Sequence, residues 1–190
     1  MVKESSIATF YRLGEAEASV HGTTIDKVHF HEVGAVDSIV DIVAAQLGFH
    51  LLGIEHFVCS PLHVGAGTVK CDHGIMPVPA PATARLLLGK PTFGGDVQGE
   101  LVTPTGAALI DHRVTQFGPA PLMRTEAIGY GSGTKDLPDR ANVLRVLIGE
   151  SAAAEVAGDT IQVLEANLDD MSGELLAPLV EGLMDAGALD

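Results

Sequence analysis

The stretch from His29 to Val43, "HFHEVGAVDSIVDIV", sets two histidines and three carboxylates in an otherwise apolar run. No lysine or arginine stands between Lys27 and Lys70 to balance them. A segment this apolar belongs in or beside a core, and carboxylates in such a place need a cation, a hydrogen-bonded network or a captured proton. The residues from Val33 to about Leu52 predict a helix. On its wheel Gly34, Asp37, Ser38, Asp41, Ala45 and Gly48 share one narrow stripe, opposed by Val36, Ile39, Val40, Val43 and Leu47. Asp37 and Asp41 thus lie one turn apart on one side, and a backbone approaching the small residues beside them would partly bury both. "KVHFHE" predicts a short extended entry in which His29 and His31 point to one face and Glu32 turns toward the helix.

At 190 residues, with 46% apolar and 19% charged, the chain is long enough for one well-packed domain and part of a second. Aromatics are only 4% with no Trp, so aliphatic side chains must fill the core, as in an α/β or α+β protein, and the order of elements along the chain favours α+β. Twenty-five acids against 11 bases give a net charge of -14, which repels phosphate backbones and anionic lipid and argues against nucleic-acid or membrane partners. Small cations suit it better, and so does the ordinary acidic surface of a cytosolic protein. Cys59 and Cys71 form no CxxC pair, so neither a disulfide framework nor a thiolate zinc site is written here. The opening, with Lys3 and Glu4, does not read as a signal peptide, and the expected compartment is the cytoplasm.

Along the chain, Ile7, Phe10, Tyr11, Leu13 and Ala18 fall at helical spacing and predict a helix ending near Gly22. Phe57, Cys59 and Leu62 around Pro61 predict a strand with a bend, and "GTVKC" another, followed by a turn at "DHG". "PVPAPATARLLLG" reads as a proline-led helix closed by Gly89. "DVQGELV" predicts a strand leading into a helix with Thr103 as N-cap, Pro104 as first residue and Gly118 as stop. "MRTEAIGYGSGTK" and "NVLRVLIG" predict two strands joined by a glycine-rich connection. After the small, polar "ESAAAEVAGD", the last stretch reads as strand, acidic loop and a helix capped by Ser172 and stopped at Gly187. The organisation expected is a domain over 1–148, a linker over 149–159 and the start of a second domain over 160–190.

Four places carry chemistry. His29, His31, Asp37 and Asp41 offer nitrogen and oxygen ligands of borderline hardness, suited to nickel, zinc, manganese or iron, while acids in a first helical turn also simply favour the helix dipole. "VTPTGAAL" leaves amides and two hydroxyls at a helix start, which fits an anion site or plain capping. "GYGSGTK", with Gly129, Gly131, Gly133 and Lys135, fits a phosphate loop or a hairpin turn. "NLDDMSGE" sets Asn167, Asp169, Asp170 and Glu174 about a helix start, where oxygen ligands hold manganese or magnesium with a nucleotide phosphate, or Asp170 and Ser172 cap the helix.

In series, "VHFHEVGAVDSIVDIV", "DHGIMPVPAPAT", "GELVTPTGAAL", "IGYGSGTKD" with "NVLRV", and "EANLDDMSGE" resemble the LarC family over nearly the whole chain from about Val20. The resemblance implies a CTP-dependent chelatase, a lyase-type cyclometallase. It would place Ni(II) in a pyridinium bis-thiocarboxylate mononucleotide through one nickel-carbon and two nickel-sulfur bonds, completing the nickel-pincer cofactor of lactate racemase. It further implies a mixed sheet with flanking helices, followed by the first strand and helix of a truncated ferredoxin-like domain. Carried over by residue, the metal is expected at His29, His31, Asp37, Asp41 and His73, with His31, Glu32 and Asp37 as catalytic candidates. Thr103, Thr105, Gly106, Gly131, Gly133 and Lys135 are expected at the substrate phosphate. Asp169 and Asp170 belong to CTP and its manganese or magnesium. The family's usual "SGISGDM" type opening has no match before Ile7, so the expectation is a fragment completed by a complementary C-terminal chain, in a homo-oligomer. Two other classes compete: a non-catalytic nickel-binding and delivery module, and a zinc-dependent hydrolase.

Overall fold

The computed structural model describes residues 1–28, 36–71, 74–151 and 173–188, with side chains in the last stretch from Pro178 onward. The chain divides into two compact units, Met1–Glu155 and Val156–Asp190.

The first unit opens with α1 (Val2–His21), which ends where Gly22 takes a left-handed φ of 60° and returns its N–H to the Ala18 carbonyl. Its buried stripe is Ser6, Thr9, Leu13 and Ala16, while Ile7 and Tyr11, expected inside, are exposed. The two hydroxyls tolerate burial because each donates to a carbonyl one turn back, Ser6 to Val2 and Thr9 to Ser5, both at 2.9 Å. After a single 3-10 turn (Ile25–Lys27), α2 (Val36–Leu51) packs on α1 through a line of Ser38, Ile42 and Gln46, every fourth residue. Of the stripe expected to carry Asp37 and Asp41, Ser38 is buried and Ala45 and Gly48 are half-buried, while Asp37 and Asp41 face outward, as do Val36, Ile39, Val40, Val43 and Leu47 of the other. Helical period fixes which residues share a face but not which face is covered. With the exposed side of Val40 touching solvent already, Val40→Asp should change stability by no more than about 0.5 kcal/mol in urea unfolding, against the 2 kcal/mol or more that a charge in a core would cost.

Helix α3 (Pro81–Leu86) and helix α4 (Pro104–Arg113) also lie on α1. Together with the strands they enclose a core of Leu13, Ile42, Leu62, Val64, Leu86 and Ala107, with Phe10 and Phe117 packed at its margin. Strand β1 (Val58–Cys59) runs parallel to β6 (Gln116–Phe117), and β2 (Leu62–Ala66) parallel to β5 (Thr92–Glu100). Strand β3 (Thr68–Cys71) is antiparallel to β4 (Gly74–Pro77), and β7 (Met123–Ser132) to β8 (Val143–Ser151). The architecture is α+β, but the described strands form four separate pairs rather than one mixed sheet. Pro61 supplies the break between β1 and β2, as its missing N–H requires. Helix α4 stops at Arg113, short of the expected Gly118, because Val114 turns extended at φ -80°, ψ 122° and leads into β6 beside β1.

In the second unit, α5 (Gly173–Asp185) contains Pro178, and Gly187 follows it at φ 101°. The strand expected after Thr160 and the cap expected at Ser172 lie outside the described residues. No helix among the described residues is long and apolar enough to cross a membrane.

Candidate functional site

Parallel strands collect ligands beyond their carboxyl ends, where helix N-termini bring unpaired amides. The β2–β5 pair has this form. Leu62 sits opposite Thr92 and His63 opposite Phe93, the two rings stacked at 4.8 Å. Gly65 then meets both Gly94 and Glu100, so β5 leaves β2 at Gly94 and comes back at Gln98. Gly65 holds a φ of 92°, and a Cβ there would overlap the Gly99 carbonyl oxygen, so the return is built on two bare backbones. The Leu101 N–H donates to the Val64 carbonyl at 3.2 Å and ties the chain to β2 just before α4 begins.

Thr103 caps α4 as its sequence predicts. Its backbone is extended, Pro104 follows, and its Oγ1 accepts the Gly106 N–H at 3.2 Å. Thr103 is exposed, and Thr105 and Gly106 are half-buried. The second hydroxyl, on Thr105, is not part of the cap. Thr103→Ala should therefore cost about 1 kcal/mol in urea unfolding, and Thr105→Ala distinctly less.

The glycine-rich connection between β7 and β8 reaches the same strand. Lys135 Nζ donates to the Gln98 carbonyl, and Arg140 meets Asp96 at 2.5 Å and Asp139 at 2.8 Å. Asn142 closes the connection by donating to the Lys135 carbonyl at 3.0 Å, while its own carbonyl accepts the Gly133 N–H at 2.9 Å. Gln98 precedes Thr103 by five residues, at most about 17 Å of chain. The two candidate phosphate groups, Thr103 with Thr105 and Gly106, and Lys135 with Gly131 and Gly133, are therefore tied to one stretch of backbone.

Glu100 was not singled out in the sequence. Its Oε1 accepts the Thr83 hydroxyl at 3.3 Å and the Ala80 N–H at 3.5 Å, fastening the start of α3 to the end of β5. The signal available was its place: an acid ending a strand three residues before a Thr-Pro-Thr-Gly helix start.

Asp37 and Asp41 stand on the solvent side of α2, and Asp37 Oδ1 accepts the Ser38 N–H at 2.8 Å, so the partial burial expected for this pair does not occur. His29, His31, Glu32, His73, Asp169 and Asp170 lie outside the described residues, although β3 and β4 pair Cys71 with Gly74 on either side of His73. Among the described residues no three His, Cys, Asp or Glu side chains gather as a metal site. Burial pushes the Cys59 thiol up, away from the thiolate a metal would need.

Residues 1–190 all match the profile of the nickel insertion protein family. The chain belongs to that family. Similar relatives of nickel insertion type include the pyridinium-3,5-bisthiocarboxylic acid mononucleotide nickel insertion protein of Desulfitobacterium hafniense, strain DSM 10664 / DCB-2, 53% identical over 100% of this chain and 48% of its own length. The protein of the same name from Geobacillus kaustophilus is 46% identical with the same coverage of both chains. The chain thus spans about half the length of the curated relatives it matches. No solved structure matches it.

Proposed function

We propose that the chain acts in CTP-dependent insertion of nickel into pyridinium-3,5-bisthiocarboxylic acid mononucleotide, completing the nickel-pincer cofactor of lactate racemase. The observation that carries this reading is the match of residues 1–190 to the nickel insertion protein family, beside a hydrogen bond from Lys135 to Gln98 that holds the glycine-rich connection near the chain entering α4. A mononucleotide presents one phosphate. The Thr105 hydroxyl and N–H receive it beside the cap that Thr103 makes with the Gly106 N–H, with Lys135 swinging from the Gln98 carbonyl to the anion.

Nickel is cargo in this reaction, delivered by His29, His31, Asp37, Asp41 and His73. Substituents at ring positions 3 and 5 flank one carbon between them. There the C–H bond breaks and a nickel-carbon bond forms, two sulfurs complete the set, and the metal stays Ni(II). The proton goes to His31, Glu32 or Asp37. CTP, with manganese or magnesium, is held through Asp169 and Asp170 in a ferredoxin-like C-terminal domain, in a cytoplasmic homo-oligomer.

The exposure of Asp37 and Asp41 favours one second reading, a delivery module that passes nickel on without metallating the ring. The test supplies the C-terminal portion of the Desulfitobacterium hafniense relative, CTP, manganese, nickel and the mononucleotide, and follows product by mass spectrometry. The enzyme reading expects nickel in place of the ring hydrogen, and Lys135→Ala to raise KM for the mononucleotide at least tenfold with kcat little changed. Nickel transfer without metallated product would establish delivery instead, and an unchanged KM would remove Lys135 from the phosphate site.

A further inference from the structure

A recess of about 490 Å³ opens between α1, α3 and the turn into β5, and the nickel reading makes no use of it. Arg12, Arg85 and Lys90 line it, so three of the 11 basic residues meet at one place in a chain of net charge -14. Asp111, also in the wall, is shared by two of them: Arg12 Nη1 lies 2.7 Å from its Oδ2, and Lys90 Nζ bonds its Oδ1. Lys90 spends a further donor on the Leu86 carbonyl at 2.9 Å.

Burial alone would raise the Asp111 carboxyl, but hydrogen bonds from Lys90 and Arg12 outweigh it and hold it below the usual carboxylate range. One ionised carboxylate between two cations leaves charge over. Arg85 adds more and has no ion pair among the described residues, and Glu15 on the rim offsets only part. The neighbouring His112 imidazole is pushed down first by burial and then by Arg113 and Arg12, with Asp111 opposing. Arg12 keeps its Nε and Nη2 donors beyond the pair with Asp111, and its side chain is 44% exposed. A guanidinium fixed from behind and open in front is the arrangement that accepts a tetrahedral oxyanion through two parallel bonds.

We propose that this recess binds a phosphate-type oxyanion, with Arg12 and Arg85 as donors and Asp111 as the residue that positions Arg12 and Lys90. The proposal is independent of the nickel reading. The oxyanion is either free phosphate or the phosphate of a nucleotide, for which the exposed Leu88 at the rim offers an apolar wall to the nucleoside.

Titration of the full chain with inorganic phosphate and, separately, with cytidine monophosphate tests it, read at the arginine side-chain Nε resonances. The Arg12 and Arg85 signals are expected to shift saturably. Arg85→Ala should weaken the Arg12 response about tenfold, added salt should weaken it further, and Thr103→Ala should leave it unchanged. Equal affinity for the two probes supports recognition of phosphate alone, and at least tenfold tighter binding of the nucleotide supports the nucleotide source. Failure of the Arg12 signal to move at millimolar probe, or movement abolished by Thr103→Ala and untouched by Arg85→Ala, would overturn the proposal. Because Arg85 is exposed on α3, its replacement leaves the core intact.

Discussion

Gln46→Ala is expected to destabilise the first unit by about 3 kcal/mol, a large fraction of a small domain's stability. Gln46 is fully buried on α2, yet none of its amide is wasted. Its Nε2 donates to Thr9 Oγ1 at 3.0 Å, and its Oε1 accepts Arg113 Nε at 2.7 Å and Nη2 as well. Thr9 in turn donates to the Ser5 carbonyl, so one network spans α1, α2 and the end of α4. The guanidinium of Arg113 also lies over the rings of Phe49 and Phe57, 5.9 and 5.5 Å from their centroids. Truncating Gln46 takes the carbonyl partner from a half-buried cation and, from the buried Thr9 hydroxyl, the N–H that it accepts. Hydrogen bonds to charged groups contribute about 1.5 to 3 kcal/mol and neutral ones about 1, which sets the magnitude. Arg113→Met should cost less, because it leaves only the Gln46 oxygen unpaired. The double variant Gln46→Ala with Arg113→Met should lose less than the sum of its parts, by about 1 to 3 kcal/mol. Urea unfolding with an unchanged slope checks all three; strict additivity would mean the two residues are not coupled.

The second large effect is expected at Gly65→Ala, about 3 kcal/mol or more. At φ 92° an alanine is strained even in open space, and here its Cβ would also drive into the Gly99 carbonyl. Relief requires β5 to move off β2, carrying Gln98, the partner of Lys135, and the approach to Thr103 with it. Substrate affinity should fall along with stability. Gly48→Ala is the matching control: it sits inside α2 with nothing near its Cβ, so the higher helix propensity of alanine should stabilise by about 0.5 to 1 kcal/mol. Urea midpoints of the two variants should move in opposite directions.

These two sites show where reading the chain succeeds and where it stops. The Thr103 cap, the break at Pro61 and the left-handed ends at Gly22 and Gly89 were legible because each is settled within a few residues by a local hydrogen bond or a fixed φ. The covered face of α2 was not, since Gln46 turns inward for an arginine 67 positions away, and the more apolar stripe through Val40 stays outside. Strand β6 escaped notice because two residues carry no alternation, and only pairing with β1 defines them. At the site, the candidate residue types are legible in the sequence, but which of them meet is not. Nothing local links Lys135 to Gln98 across 37 positions, and Glu100 gains its role only where α3 folds back on it.

Nickel delivery as proposed requires one divalent metal to be shared by His29, His31, Asp37 and Asp41. Isothermal titration of Ni(II) into the chain measures this directly, beside the double variant His31→Ala with Asp37→Ala. One nickel per chain should bind the unaltered protein and none the variant; equal binding by both would contradict the assignment.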